Sequence, residues 1–368
     1  MASAGCLGDC PDTVSVASDL HETASLPWAV AVSDGVRKLD VFSCGLAVLY
    51  LLVCVCGLAG NTLVAVAVVK MDRLSSSTSV YMLTLALADG LFMLGLPLIA
   101  AQNLLHRWPF GDAACRLLMV LDGTNQFTSA FCLTAMSVDR YLALSDPLRF
   151  AGWRRPRRAA LVSLLLWLLS MVPVLPVAAH FSARGGFCAV DPELTEGGGG
   201  LAFLCWAFAL GFALPLCIML ATYGALAWRR RHGGGPGAAV TVTETERAER
   251  RVTVMVAAVA AVFGACWLPF YVLNFLALWL GEWAEQAEWA EQAEEVFVHG
   301  FEAAVLLSYA WSCANPLLYA CLSHAFRRHF SALLCPRKNT PTNPRQPDTE
   351  HYDLNDSALH GPEAGVRV

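Results

Sequence analysis

Seven apolar segments, each long enough to cross a lipid bilayer, constrain this chain more than any other feature. A transmembrane helix needs about 20 consecutive and mostly apolar residues. The segments are Val41–Val69, Val80–Asn103, Ala114–Leu144, Ala159–His180, Leu201–Trp228, Val252–Leu280 and Val296–Leu322. Only 15% of the residues are charged, whereas soluble domains carry roughly 25%. The sequence therefore predicts an all-α membrane protein, a seven-transmembrane helix bundle with a short amphipathic eighth helix.

The distribution of positive charge predicts the orientation of these segments. Most of the 25 Lys and Arg lie on one side, in Arg154–Arg158, Arg229–Arg231, Arg247–Arg251 and the tail. Because cytoplasmic loops are enriched in Lys and Arg, we expect this side to face the cytoplasm. The chain is then a multi-pass protein of the plasma membrane, with its N-terminus outside and its C-terminus inside.

The third segment carries charges that are costly in a membrane. Asp122 lies near one end of LLMVLDGTNQFTSAFCLTAMSVDRYLAL, and Asp139–Arg140 lies near the other. A charge in the hydrocarbon region costs roughly 2.5–3.5 kcal/mol on insertion scales, so it usually marks a function or a specific pair. Asp139 can neutralise Arg140, and Glu249 is a second candidate partner for that arginine.

Other segments also carry polar residues and prolines. Asn61, Asp89 and Asn315 are expected to hydrogen-bond with one another, since an unpaired polar group is costly in an apolar bundle. A proline within a helix removes a backbone hydrogen bond and marks a place where the helix can bend. Three such prolines occur in the last three segments, Pro215, Pro269 and Pro316.

Two of the 14 cysteines are expected to form a disulfide. Most of the cysteines lie inside the apolar segments, where they act as small buried hydrophobes. Cys115 and Cys188 both fall on the outer side, where oxidation is permitted, and would tie the third segment to the loop before the fifth. Cys6 and Cys10 are also outside and are a second candidate pair.

An amphipathic stretch, SHAFRRHFSALLC, follows the seventh segment. It predicts an interfacial helix with Phe326 and Phe330 on its apolar face, and Cys335 after it is suited to palmitoylation. The expected layout is an extracellular segment 1–40, a transmembrane domain 41–322, an amphipathic helix 323–335 and a disordered cytoplasmic tail 336–368.

The order and spacing of GLAGNTLV, LALAD, DRY, CWLPF and NPLLY resemble the rhodopsin-like G-protein-coupled receptors, from Leu46 to Cys335. The chain has three lysines, Lys38, Lys70 and Lys338. None lies within the seventh segment, which excludes a retinal Schiff base there. The resemblance implies a receptor rather than an enzyme, with an activation switch formed by Asp139, Arg140, Tyr141, Tyr223, Trp267, Pro269, Asn315, Pro316 and Tyr319.

The stretches DGTNQFTS, CWLPFYVLNFL and LSYAWSCANPLLYACLS are similar to those of the somatostatin receptors, the type 5 branch in particular. Opioid and neuropeptide B/W receptors match DGTNQFTS less well and remain an alternative. The resemblance implies a somatostatin-like peptide whose Lys binds Asp122. Gln126, one turn deeper on the same face, would share that Lys. Further expected contacts come from the sixth and seventh segments, at Phe270, Asn274 and Tyr309.

Each of these residues also has a structural interpretation. Asp122 could be a partner of Tyr309 alone, and Gln126 and Asn274 could form hydrogen bonds between helices. A receptor-like scaffold that does not signal is a further alternative. A transporter is disfavoured, because no internal repeat is present beyond one loop duplication.

The same resemblance implies an internal sodium ion near Asp89, Ser129 and Ser312. The family usually has an Asn at the position of Trp311, four residues before Asn315. A bulky indole is expected to fill or reshape the site, so the sequence does not decide whether an allosteric sodium ion binds. No other cofactor and no other metal site is expected.

Partners follow from the resemblance and from the tail. A heterotrimeric G protein of the Gi/o class, which lowers adenylate cyclase activity, is expected, together with arrestin and receptor kinases, and no nucleic acid. The last residues, Val366–Val368, fit the tail that PDZ domains bind as an added strand. The duplicated EWAEQA in 282–295 is either slippage in a tolerant loop or an acidic surface that attracts a cationic peptide.

Overall fold

The computed structural model describes residues 41–183, 186–190, 199–232, 244–281, 290–322 and 324–334. Long helices dominate it: α1 (Val41–Ala67, continued by a π-helical turn at Val68–Asp72), α2 (Ser77–Met93 and Leu96–Leu105), α3 (Gly111–Ser145) and α4 (Pro156–Ala178). The second half comprises α5 (Gly199–Phe208, the π-helical turn Ala209–Ala213 and Leu214–His232), α6 (Glu244–Gly281), α7 (Ala290–Leu322) and α8 (His324–Leu334). A four-residue helix, Pro147–Phe150, precedes α4, and the strands β1 (Phe181–Ser182) and β2 (Ala189–Val190) follow it as an antiparallel pair.

The first seven helices form the predicted bundle. Within the described ranges, six stretches are long and apolar enough to cross a membrane: Val41–Asp72, Ser77–Leu105, Pro156–Pro176, Gly199–Arg229, Arg250–Leu278 and Phe297–Leu322. The 35-residue α3 has the length, but Asp122, Asn125 and Gln126 interrupt its apolar character. Because α3 packs against α2, α4, α5 and α6, protein surrounds it, and polar groups are tolerated there. The seven-helix prediction is confirmed.

The second segment differs from the single uninterrupted span that the sequence predicts. Its helix breaks after Met93 and restarts at Leu96, with Pro97 in the first turn. Proline has no N–H to donate to the carbonyl four residues earlier, which is that of Met93. The Cys54 thiol of α1 donates to this carbonyl instead, at 3.2 Å. The break therefore has a local cause, and α1 compensates for the lost hydrogen bond.

Glycine lets α2 and α3 approach closely at this break. A Cβ atom at Gly95 would lie 2.5 Å from Cδ1 of Leu118 on α3. A larger residue would push the two helices apart. The break in α2 is thereby fixed against the helix that carries Asp122.

The predicted weak point at Pro215 coincides with a π-helical turn. Pro215 is the second residue of Leu214–His232. It has no N–H to donate to the carbonyl four residues earlier, which is that of Gly211. Gly211 lies in the π-helical turn Ala209–Ala213. A π-helical turn accommodates such a disruption within an otherwise continuous helix. α5 thus crosses the bundle with a changed register of side chains.

The helix after the seventh span is amphipathic, as predicted. Phe326 and Phe330 are buried, while Arg327 and Arg328 are exposed. Phe326 packs against Tyr319 of α7 with ring centroids 5.8 Å apart. α8 is therefore anchored to the end of the bundle that carries Asp139 and Arg140.

Candidate ligand-binding site and the polar core beneath it

Asp122 is an acidic side chain inside the bundle that has no bonded partner among the described residues. It lies about two helical turns from Cys115 along α3 and is half-buried. In the part of the chain that the structure describes, no group donates a hydrogen bond to its carboxylate or forms an ion pair with it. Three tyrosines of α1, α6 and α7 lie near it, namely Tyr50, Tyr271 and Tyr309. The alternative of a hydrogen-bonded pair with Tyr309 alone is not formed.

Gln126 connects α3 to two other helices. Its side-chain amide donates to the hydroxyl of Tyr271 on α6, and this hydroxyl donates to the carbonyl of Ala207 on α5 at 3.1 Å. The two bonds form an interhelical link one turn below Asp122. Gln126 therefore has the structural role that the sequence left open, and it remains on the face of α3 that Asp122 occupies.

The α6 residues lie in an aromatic wall. The Phe270 ring meets Trp267 edge-on, with centroids 5.7 Å apart, and packs against Phe301 of α7 at 6.1 Å. Asn274 is only 2% exposed, and its amide donates to the Phe270 carbonyl at 2.7 Å. This bond lies within α6, so the interhelical alternative for Asn274 is not formed.

Tyr309 of α7 packs against α1 and α2, on the side of the bundle away from the α6 wall. Its ring centroid lies 4.8 Å from that of Phe92 on α2 and 5.9 Å from that of Tyr50 on α1. Tyr309 also lies near Asp122 of α3. The five predicted ligand contacts therefore divide between α3, an α6 wall and an α7 wall.

A disulfide closes the end of the bundle nearest Asp122. Cys115 of α3 is bonded to Cys188 beside β2, with Cα atoms 5.4 Å apart, as predicted. The Arg116 side chain donates to the Phe181 carbonyl at 3.0 Å, and Asp112 accepts from the Ala183 amide at 2.6 Å. These contacts hold the β1–β2 hairpin against the first turns of α3.

Deeper in the bundle, Asp89 joins α2 to α7. It is fully buried, and both carboxylate oxygens accept hydrogen bonds, from the Ser312 hydroxyl and from the Asn315 amide, each at 2.7 Å. The predicted bond between Asp89 and Asn315 is therefore present. Because a buried carboxylate is costly unless it is bonded, these contacts fix the position of α7 against α2.

Asn61 has different hydrogen-bond partners from those predicted. Its amide donates to the carbonyls of Gly57 and Ser312, each at 3.0 Å, rather than to Asp89 or Asn315. The Ser312 carbonyl lies four residues before Pro316, which cannot donate to it. Asn61 therefore supplies the donor that Pro316 removes, and it holds α1 against the proline bend of α7.

The predicted cluster of Asp89, Ser129 and Ser312 is joined through Asn125. Ser129 donates to the Asn125 side-chain carbonyl at 3.4 Å, and the Asn125 amide donates to the Ser312 hydroxyl at 3.3 Å. No hydrogen bond joins Ser129 to Asp89 within the described ranges. The network thus connects α2, α3 and α7 through direct protein contacts.

The sequence matches known membrane receptors over most of its length. Residues 60–319 match the family model described as 7 transmembrane receptor (rhodopsin family). Somatostatin receptor type 5 of Bos taurus is 46% identical over 309 residues, which cover 83% of this chain and 79% of the relative. Somatostatin receptor type 3 of Homo sapiens is 42% identical over 333 residues, 88% of this chain and 77% of the relative. Somatostatin receptor type 2 of Mus musculus is 40% identical over 295 residues, which cover 79% of this chain and 77% of the relative.

The chain belongs to the somatostatin receptor family of rhodopsin-like receptors. Members of this family are signalling receptors of the membrane and not enzymes. The resemblance drawn from DGTNQFTS, CWLPF and NPLLY is therefore confirmed, and so is the predicted absence of enzyme chemistry.

In this somatostatin-receptor-family protein, Asp139 holds the far end of α3. Its carboxylate accepts from the Ser77 hydroxyl of α2 at 2.7 Å and pairs with the neighbouring Arg140. Arg154 approaches the same carboxylate at 3.6 Å. All of these groups except Arg154 are buried. The predicted neutralisation of Arg140 by Asp139 is present, and the side chain of Glu249 lies outside the described residues.

The remaining predicted switch residues are spread along α3, α5, α6 and α7. Tyr223 lies within hydrogen-bond distance of Ser137, at 3.1 Å, while Tyr141 lies under the guanidinium of Arg229 at 5.9 Å. Trp267 and Tyr319 are buried. Pro269 lies within α6 and Pro316 within α7.

Three residues with direct roles in this geometry were not singled out from the sequence: Ser77, Asn125 and Tyr271. Ser77 and Tyr271 contact residues far away in sequence, so no local pattern identifies them. Asn125 lies directly beside Gln126, and its polarity within a membrane helix was a usable signal.

Several predictions concern residues outside the described ranges: the segment 1–40 with Cys6 and Cys10, the palmitoylation site Cys335, the tail 336–368 with its PDZ-type end, and 282–289 of the acidic repeat. They stay predictions.

Proposed function

We propose that this receptor binds a somatostatin-like peptide and that Asp122 binds a lysine of that peptide. The observation that carries the proposal is the absence of any bonded partner for this carboxylate within the described residues. A charged group in such a position is costly unless it is paired. A cationic ligand group supplies the pairing, and the somatostatin receptor relatives indicate which kind of peptide carries it.

The surroundings of Asp122 fit a peptide side chain with an apolar stem and a cationic end. Gln126 lies one turn deeper, and the aromatic rings of Phe270 on α6 and Tyr309 on α7 are expected to line the same cavity. Lysine buries its methylene groups against such surfaces while its ammonium group reaches an acceptor. The Gln126 amide, held by Tyr271, is expected to share the ammonium group once the peptide is bound.

We further propose that the end with the disulfide faces outward and that the Asp139–Arg140 end faces the cytoplasm. A disulfide is favoured in an oxidising compartment, and arginines are concentrated near Arg140. The partner at this end is then a heterotrimeric G protein of the inhibitory Gi/o class, which lowers adenylate cyclase activity. Arrestin and receptor kinases are the expected partners of the activated receptor.

The test is guanine-nucleotide exchange on purified Gi, Go and Gs, with receptor in lipid nanodiscs and with or without somatostatin. The proposal expects exchange on Gi and Go that depends on the peptide, and none on Gs. Activation by an opioid peptide or by neuropeptide B or W, but not by somatostatin, would assign the receptor to the related branch. No exchange with any peptide, on correctly folded protein, would indicate a scaffold that does not signal.

A further inference from the structure

The junction of α2, α3 and α7 is where the family implies a sodium ion, and its donor set decides whether such an ion fits. Sodium is a hard cation and is bound by oxygen ligands, by the same chemistry as other hard cations. The oxygens offered here come from Asp89, Ser129, Ser312 and the neighbouring Asn125. An ion needs several of these oxygens to point at one position.

These oxygens are engaged with one another, whereas the buried side-chain oxygen of Asn315 has no hydrogen-bond partner within the described residues. Both carboxylate oxygens of Asp89 accept direct bonds, from Ser312 and from Asn315, at 2.7 Å each. The Asn125 carbonyl oxygen accepts from Ser129 at 3.4 Å. Each of these oxygens keeps a second lone pair, so a cation at Asp89 would have to share the carboxylate with the two short, direct hydrogen bonds that hold α7 to α2.

Trp311 also lacks the side-chain oxygen that the family's usual Asn would supply to this junction. It precedes Ser312 directly and lies four residues before Asn315, so its side chain is one turn from Asn315 on the same face of α7. An indole has a single N–H donor and no acceptor, so it cannot bind a cation through oxygen. Its N–H has no hydrogen-bond partner within the described residues.

The indole also occupies space. Trp311 is 0% exposed, and its ring meets Phe263 of α6 edge-on with centroids 5.4 Å apart. Phe263 in turn packs against Trp267 of α6 and Phe212 of α5, at 6.3 Å and 6.0 Å. Trp311 therefore connects α7 to an aromatic cluster on α5 and α6.

We propose that this receptor binds no sodium ion at Asp89, and that Trp311 takes over the ion's place in holding the bundle together. The direct bonds from Ser312 and Asn315 to Asp89 fix α7 to α2. The contact between Trp311 and Phe263 fixes α7 to α6. The stability of the unliganded receptor is therefore independent of sodium, whereas an oxygen-bearing residue at position 311 restores a sodium site.

The experiment measures thermal unfolding of the purified receptor without peptide, in sodium chloride and in choline chloride at equal ionic strength. The variants are Trp311→Asn, which supplies an amide oxygen, and Trp311→Phe, which keeps an aromatic ring without one. A ligand that binds only the folded state raises the melting temperature. We expect a sodium-specific rise of a few degrees in Trp311→Asn and none in the wild type or in Trp311→Phe.

A sodium-specific rise in the wild type overturns the proposal, and this measurement does not depend on whether any variant folds. A flat response in a folded Trp311→Asn protein overturns the assignment of Trp311 as the obstruction, and a rise in Trp311→Phe overturns the requirement for an oxygen at position 311. Because no peptide is present, failure of somatostatin binding leaves these outcomes unchanged, so the two proposals fail separately.

Discussion

The Tyr271 hydroxyl on α6 accepts a hydrogen bond from the Gln126 amide on α3, one helical turn from Asp122. The same hydroxyl donates to the Ala207 carbonyl on α5. One phenol thus joins three helices directly beneath the candidate ligand site. A ligand group that reaches Asp122 and competes for Gln126 would change the bonds that hold α6, which is a physical route from binding to helix movement.

Replacing Tyr271 with Phe is expected to destabilise the unliganded receptor. The change leaves the Gln126 amide and the Ala207 carbonyl without this partner, and an unsatisfied buried group costs about 1–3 kcal/mol. The measurement is the melting temperature in nanodiscs without peptide. Tyr141→Phe is the matched control, because no hydrogen bond of the Tyr141 hydroxyl is present in the described structure. Equal melting temperatures for Tyr271→Phe and the wild type would contradict the role of this bond.

Asp122→Asn is expected to abolish activation by somatostatin while surface expression survives. The lost interaction is an ion pair shielded from water, and removing one partner of such a pair costs roughly 3–5 kcal/mol, which corresponds to a Kd increase of on the order of 100-fold or more. Competition binding and nucleotide exchange report the effect.

The control for this change is Asp112→Asn, at the first turn of α3. Its carboxylate oxygen accepts from the Ala183 amide, and an Asn carbonyl can do the same. Its potency is expected to stay near that of the wild type. Unchanged potency in Asp122→Asn would remove the assignment of the ligand site.

Cys115→Ser and Cys188→Ser are expected to share one phenotype, poor folding or lost binding, with the double variant no worse than either. Two residues that act as one bonded unit do not give additive effects. Cys205→Ser, which changes an exposed free cysteine of α5, serves as the control and is expected to behave like the wild type. Surface expression and ligand binding are measured for all four proteins, and clearly additive defects would argue against the bond.

The helices were predictable because each depends on local composition. Even α3 was identified as a span from its long and mostly apolar sequence, although its polar residues lower its hydropathy. The break in α2 depends on Pro97 and on the close approach of Gly95 to Leu118. The proline is visible in the sequence, but the approach depends on another helix.

The sequence predicted which residues form the polar core, but it predicted their hydrogen-bond partners less well. Asp89 and Asn315 were expected to meet, and they do. Asn61 was expected to join them, but the carbonyl that Pro316 leaves without a donor attracts its amide instead. That outcome depends on which carbonyl of α7 faces α1, a packing relation across 251 residues of sequence that no local pattern contains.

Ser77→Ala is expected to raise basal nucleotide exchange on Gi several-fold. The Ser77 hydroxyl on α2 donates to the buried carboxylate of Asp139 at 2.7 Å, and a hydrogen bond to a charged group contributes about 1.5–3 kcal/mol. Without it, Asp139 is held less firmly against α2. Arg140, which pairs with this carboxylate, is then released more easily toward a G protein.

The matched control is Ser75→Ala, because Ser75 also donates from a hydroxyl to a carboxylate, that of Asp72, but in an exposed position at 3.1 Å. An exposed bond of this kind contributes little, since water replaces it. Exchange is measured without peptide at equal receptor density. If Ser77→Ala and Ser75→Ala both keep the wild-type basal rate, Ser77 does not restrain the Asp139–Arg140 pair. If only Ser77→Ala raises it, the α2–α3 contact is part of the resting state.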